Sequence, residues 1–523
     1  MSAAKKSYDV VVAGGGHNGL VAATYLARAG LSVLLLERLE HVGGAAISAQ
    51  AFSGHAARLS RYSYLVSLMP NQLVEELGLD ISLASRTTAS YTPTLRDGKP
   101  GGLLVERPEG PATVASFEAL TGGTSDYDAW RQFYGDVTDL AHVVAPTLLS
   151  PLPIERSVRD QVDAQAWDDL VANPLGAAIE RRFTDDTVRG VVGTDALIGT
   201  FASLNSPSLV QNRCFLYHLI GNETGEWRVP IGGMGAVTSA LAAAARDAGV
   251  EVITSAGVSA ILGGDSDAEV TWHDGMASHT VSGRHVLANV APWVLRILMG
   301  EEEDPETKPI GAQLKINFLL NKLPALKSGM DPAVAFAGTL HLAEDYSQLE
   351  TAYDEAVAGN VPSVMPGEVY CHSLSDPSIL GSAPDGMHTL TYFGLHTPAS
   401  LFESDPQAAK QLAVARALES LNEHLVDPIE TCVATDATGQ PCIEAKIPQD
   451  IEADLAMPGG HIFHGDLDWP WANNRARLDT PAQQWGVQTD VPSVLVCGSG
   501  ARRGGAVSGI GGHNAAQAVL ASR

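Results

Sequence analysis

The apolar residues Val10, Val11 and Val12 form an unbroken run, as in a strand buried on both faces, and lead straight into Gly14, Gly16 and Gly19. From Leu20 the apolar positions recur at helical spacing until Gly30, a residue suited to a C-cap, and a second apolar run from Leu31 to Leu36 ends at Glu37. Strand, glycine turn, helix and strand make one βαβ unit. In such a unit the first glycine permits the tight turn, the second lets the backbone approach a pyrophosphate, and the third lets the helix pack closely on the strand. The helix N-terminus then faces the phosphates. Glu37 stands close to the roughly 20-residue offset at which a strand-end carboxylate accepts hydrogen bonds from ribose hydroxyls, which suits an adenosine without a 2′-phosphate.

Further on, a helix is expected at 71–77, closed by Gly78, and Leu103, Leu104 and Val105 predict a short hairpin strand. Mostly helical spacing over 125–149 and 160–217 predicts a helical insertion above a cleft. Its aromatic positions Trp130, Phe133, Tyr134, Trp167, Phe183 and Phe201 are read as core and not as substrate contacts. An alanine-rich helix at 237–248, a strand at 250–253 and a hairpin-like run at 270–289 return the chain to the nucleotide domain, with Val258 the candidate for backbone contact with adenine. Residues 301–308 read as a solvated linker. Strands at 315–320, 369–373 and 388–393, with a helix at 406–424, predict an α+β region built on an antiparallel sheet; a strand at 494–497 precedes a glycine-rich turn and a C-terminal helix. The nucleotide domain is therefore expected at 1–60, 226–300 and 486–523, and a substrate domain at 61–225 and 301–485.

The chain has 523 residues, 45% of them hydrophobic, enough for a sizeable core. Sixty acidic against 33 basic side chains leave a net charge of −27, so nucleic acid and anionic lipid are not expected partners. Lys5 and Lys6 precede an apolar run too short for a signal peptide, and no segment has the length of a membrane span, so a cytoplasmic location is expected. The five cysteines are far apart, with no C-x-x-C and no metal-ligand spacing, and are expected to be reduced core thiols; no metal site is expected. The absence of cysteine between Gly43 and Ser60 excludes a disulfide reductase of the usual layout. Nor is there a second strand, G-x-G-x-x-G, helix unit for a nicotinamide cofactor beside a flavin.

Three motifs run from end to end of the chain: YDVVVAGGGHNGLVAATYLARAG with LLLERLEHVGGAA, IPQDIEADLAMPGGHIFHGDL, and VLVCGSGARRGGAVSGIGGHNAA. Together they resemble the FAD-dependent phytoene desaturase-like flavoproteins, including the carotene ketolase-like branch and the pyridine nucleotide-disulphide oxidoreductase domain-containing proteins. The resemblance implies an α/β protein: a Rossmann-type, glutathione-reductase-like FAD domain in three discontinuous segments, joined to an α+β substrate domain with an antiparallel sheet and a helical insertion. It implies non-covalent FAD, with Gly14, Gly16, Gly19, Glu37, Arg38, Gly43 and Gly44 on the ADP half and His17 and Asn18 as further cofactor-binding residues. The glycine pair Gly43–Gly44, which lets the chain double back beside the pyrophosphate, favours FAD over NAD. Gly498, Gly504, Gly505, Val507 and Gly509 would lie beside the flavin ring.

Two departures stand near the expected flavin. Ala501, Arg502 and Arg503 replace the family's threonine-histidine-proline, and Asp468-Trp469-Pro470-Trp471 stands where a glutamine is common. Arg502 or Arg503 is accordingly expected to bind an anionic substrate group or reduced flavin. His461 and His464 are the candidate bases, followed by Tyr62 and Tyr64. The expected activity is a dehydrogenase or desaturase removing hydride and a proton from a C–C unit of a small lipophilic or conjugated substrate, with oxygen or a quinone as electron acceptor. Flavin-dependent isomerisation or ketolation is the alternative. A non-enzymatic lipid- or prenyl-binding escort, as in the guanine nucleotide dissociation inhibitors, is disfavoured by the complete set of nucleotide motifs. A homo-oligomer is compatible with the sequence.

Overall fold

The apolar run that follows Ser7 becomes an inner strand, Ser7–Ala13, of a seven-stranded sheet. Its parallel neighbours are Val33–Leu36 on one side and Ser278–Ala288 on the other, and Glu251–Ile253 and Val494–Val496 extend the parallel part at its two sides. An antiparallel meander, Gly257–Gly263 and Ala268–His273, leads into Ser278–Ala288. A computed structural model describes residues 7–523, so Lys5 and Lys6 lie outside the described residues.

Val10 and Val12 pack into one hydrophobic cluster and Val11 into another, and all three are fully buried. That two-sided burial is why the strand has no polar alternation. Three helices, His17–Arg28, Met234–Asp247 and Ile510–Ala521, contribute to the cluster that contains Val10 and Val12.

A second seven-stranded sheet has the order Ile443–Lys446, Leu314–Leu320, His388–Gly394, Gly367–Tyr370, Thr339–Leu342, Thr88–Arg96, Lys99–Glu106. It departs from the expected antiparallel sheet at one place, where Thr339–Leu342 runs parallel to Thr88–Arg96. The strand expected over 369–373 begins at Gly367 and ends at Tyr370, because Cys371 caps a short helical turn, His372–Ser375. The helical insertion includes Ser125–Val144, Leu175–Arg182, Asp186–Thr194 and Val210–Leu219. Their buried faces share a core with Phe393 and Leu395 of the second sheet region.

All five cysteines are buried and free, as expected. No helix among the described residues is long and apolar enough to cross a membrane.

Candidate active site

Gly14 adopts φ +106°, and its carbonyl accepts a hydrogen bond from Asn289 Nδ2 at 3.0 Å. A Cβ on Gly14 would lie 2.7 Å from the Asn289 carbonyl oxygen, and one on Gly19 only 2.2 Å from the Gly14 carbonyl oxygen, so neither position admits a side chain without movement. Gly16 caps the helix His17–Arg28 with no side-chain hydrogen bond, which leaves the first-turn N–H groups for a ligand. Gly43 donates to the Gly15 carbonyl at 2.9 Å, and a Cβ on Gly44 would come within 3.3 Å of Gly16 Cα. The two glycine pairs therefore pack against each other. Glu37 closes this end: Oε2 accepts from Gly15 N–H at 2.7 Å and Oε1 from Leu39 N–H at 2.8 Å. Each carboxylate oxygen keeps a second lone pair for a ribose hydroxyl. His17 Nε2 is buried without a partner, and burial lowers the His17 pKa to about 4. The tight glycine cradle, the uncapped helix start and the cavity-lining carboxylate fit FAD.

A cavity of about 650 Å³ runs without a break from Gly14 and Glu37 to Arg86, Trp130 and Asp195. Its walls are aromatic: Tyr64 lies 4.7 Å from Tyr370 and 6.0 Å from Phe393 between ring centroids, Trp130 lies 4.5 Å from Tyr134, and His218 lies 5.1 Å from Trp227.

One part of the cavity is polar. His341 and Glu368 stand opposite each other on adjacent strands, and His341 Nδ1 lies 2.6 Å from Oε2 of the fully buried Glu344. Tyr370 donates its hydroxyl proton to Glu368. Burial, reinforced by Glu344, raises the Glu368 pKa to about 8; burial also pushes Glu344 well up, His341 down and Asp195 up to about 6. One ligand-type atom from each of His341, Glu344 and Glu368 falls within a 4.8 Å grouping that the cysteine and histidine spacings did not announce. Buried basic side chains, Lys315 and Arg86 among them, also line the cavity, and burial pushes the Lys315 pKa well down. Lys315 donates to the carbonyls of Ser60 and Tyr62 and lies 4.7 Å from the Tyr64 ring centroid, and Arg86 donates to Trp227 O and Thr339 Oγ1.

Residues 12–72 match the model of the NAD(P)-binding Rossmann-like domain. Over 534 residues the chain is 51% identical to the uncharacterized protein Rv0897c of Mycobacterium tuberculosis, covering all of this chain and 98% of that protein. The chain belongs to the Rv0897c family. It is also a homologue of the mouse pyridine nucleotide-disulfide oxidoreductase domain-containing protein 2, with 27% identity over 577 residues, 99% of this chain and 94% of the relative. Among solved structures, a putrescine oxidase mutant from a redesign of cofactor binding superposes with a TM-score of 0.58 at 18% identity over 99% of each chain, which shows a shared fold.

Within this Rossmann-like architecture Gly14, Gly16, His17, Glu37, Arg38, Gly44, Val258, Val507 and His464 line the cavity. Gly19, Gly43, Gly498, Gly504, Gly505 and Gly509 stand behind that lining. Gly504, for example, packs where a Cβ would meet the Gly498 carbonyl oxygen at 2.3 Å. Asn18 does not line the cavity; its Oδ1 accepts from Gly512 N–H at 3.4 Å and ties the first helix to the last, while its Nδ2 is buried without a partner.

The candidates for chemistry need larger corrections. His461 does not line the cavity, because its Nδ1 accepts from the N–H groups of Phe463 and Gly465 in its own turn. His464 lines it, but burial lowers its pKa to about 3, with the neighbouring His17 adding to the shift, which makes it a weak base. Arg503 is buried and donates to the carbonyls of Thr147, Ser150 and Trp485. Arg502 donates to Trp471 O at 2.6 Å and lies 3.5 Å from Asp468. Neither arginine lines the cavity, whereas Trp130 and Tyr134, assigned from the sequence to the core alone, do.

Arg86, Asp195, Lys315, His341 and Glu368 were missed. For Lys315, His341 and Glu368 the available signal is a lone ionisable residue inside a fully buried strand: LKINFLL, TLHL and GEVY.

Proposed function

We propose that the chain is an FAD-dependent oxidoreductase that dehydrogenates a small lipophilic or conjugated organic molecule. The observation that carries this reading is the continuity of the glycine cradle with an aromatic cavity whose polar part holds buried proton-handling groups. Bound FAD supplies a two-electron hydride acceptor.

The aromatic walls orient the substrate and exclude water. Glu368 takes the proton from the carbon next to the one that gives up hydride, leaving a double bond between the two. With a pKa of about 8, the carboxyl becomes a competent base as the pH rises through that value. The Tyr370 hydroxyl and His341 fix the carboxyl's position, and Glu344 fixes His341. Oxygen or a quinone would then remove the two electrons. The fivefold division of the chain into nucleotide and substrate segments, and the cofactor contacts named above, belong to the same proposal.

The test is anaerobic bleaching of the holoprotein by candidate substrates with mass analysis of the product. Bleaching with a product two hydrogens lighter supports dehydrogenation. Turnover to a product of unchanged mass overturns it in favour of isomerisation.

A further inference from the structure

We propose that Arg86 anchors a carboxylate of the substrate, so that the cavity takes a conjugated or apolar carboxylic acid. This inference rests on the substrate cavity of the preceding proposal and deepens it.

Arg86 is buried and lines the cavity. Its guanidinium carries five N–H donors. The structure assigns two of them, Nε to Trp227 O at 3.2 Å and Nη1 to Thr339 Oγ1 at 3.3 Å, both to neutral acceptors. Among the described residues Arg86 makes no ion pair; the half-buried Glu226 lies 4.0 Å from Arg107 and acts on Arg86 only through space. Other arginines in the protein are treated differently. Arg182 pairs with both Asp136 and Asp169, and Arg503, away from the cavity, directs Nη1 and Nη2 at three carbonyls while its Nε has no partner.

The acids near Arg86, Glu368 and Glu226, act on it through space, and neither pairs with it among the described residues. Glu368 is held by the Tyr370 hydroxyl, and burial keeps its carboxyl largely protonated at neutral pH. Asp195 acts on Arg86 only at a distance, without an ion pair. The Tyr370 ring, 5.8 Å from the guanidinium carbon, supplies a partial cation–π contact. Lys315, also buried, donates to carbonyls alone, and burial pushes its pKa well down, so the fixed charge here is that of Arg86. A buried guanidinium lacking a counter-charge is costly, and a carboxylate matches its planar fork with two parallel hydrogen bonds. The aromatic walls formed by Tyr64, Trp130, Tyr134 and Phe393 then face the acid's conjugated or apolar skeleton.

The experiment compares three probes with one skeleton, trans-cinnamate, cinnamyl alcohol and cinnamylammonium, by calorimetric titration of the holoprotein, with flavin content measured in parallel. Cinnamate should bind most tightly, and R86M should weaken it by a factor of about 30 or more. R86K, which keeps the charge but loses the fork, should fall between. Tighter binding of cinnamylammonium overturns the proposal and makes Asp195 or Glu368 the anchor. Equal cinnamate affinity in the wild type and R86M, or in R86K should R86M not fold, also overturns it. A protein without flavin that still binds cinnamate through Arg86 would sink the oxidoreductase reading and leave this one standing. Flavin with Arg86-independent binding would do the reverse.

Discussion

His341 and Glu368 face each other across two neighbouring strands, with His341 Nδ1 3.9 Å from Glu368 Oε1 and Glu344 closer still to the same nitrogen. Three buried proton-handling groups thus sit on and beside adjacent strands, with His341 and Glu368 on the cavity side. If Glu368 accepts the substrate proton, flavin reduction should accelerate as pH rises through about 8, because below that value the carboxyl is protonated and cannot act as a base. E368Q should retain flavin and reduce it about 10²- to 10⁴-fold more slowly, with the pH dependence gone. Anaerobic stopped-flow reduction on both sides of pH 8 measures this.

The same residue gives stability a sign. Its carboxyl keeps its proton up to about pH 8 in the folded protein, whereas the unfolded chain releases it near the ordinary carboxylate value of about 4.5. Its contribution is therefore fully present below the unfolded pKa and is lost as pH rises through the folded one. Melting temperature should fall over that window more steeply in the wild type than in E368Q. Parallel slopes by differential scanning fluorimetry would show that Glu368 is ionised in the fold.

Arg503 is expected to hold structure rather than substrate. Its Nη1 donates to Thr147 O at 2.7 Å and Ser150 O at 2.8 Å, and Nη2 to Trp485 O at 3.3 Å. R503A strips donors from these carbonyls and should cost about 3 kcal/mol, seen as a melting temperature several degrees lower. R502A should leave substrate KM unchanged. A changed KM with intact stability in either variant would restore the role expected from the sequence.

At the cofactor end, G19A should abolish FAD retention, since its Cβ would meet the Gly14 carbonyl oxygen, a backbone atom, at 2.2 Å and the Asn289 amide at 2.8 Å. E37A should weaken retention without unfolding the protein, because it removes the proposed ribose acceptor and also frees the Gly15 and Leu39 N–H groups. Flavin-to-protein ratios after gel filtration distinguish the two.

Much of the nucleotide end was legible because its physics is local. A glycine at a fixed offset from a strand reports a steric limit that the neighbouring sequence alone imposes, as Gly14 and Gly19 do. The helix Asn71–Leu77 was legible for the same reason, with Gly78 at its end in the left-handed conformation. The substrate end depends on contacts distant in sequence. Arg86 reaches Thr339, 253 positions away, and Lys315 reaches Ser60 across 255. Thr339–Leu342 is a four-residue strand, too short for periodicity to reveal, and it carries His341. Arg502 and Arg503 were attractive for their charge and their place in a flavin motif. Arg86, which does line the cavity, lies instead just before an unmarked strand, Thr88–Arg96.

The central claim is that this cradle holds FAD for redox chemistry. The direct measurement is the visible spectrum of the purified wild-type protein before and after denaturation, with chromatographic identification of what is released. The account predicts an oxidised-flavin spectrum and FAD released at one per chain. A protein that carries no flavin and takes up none when FAD is added would contradict it.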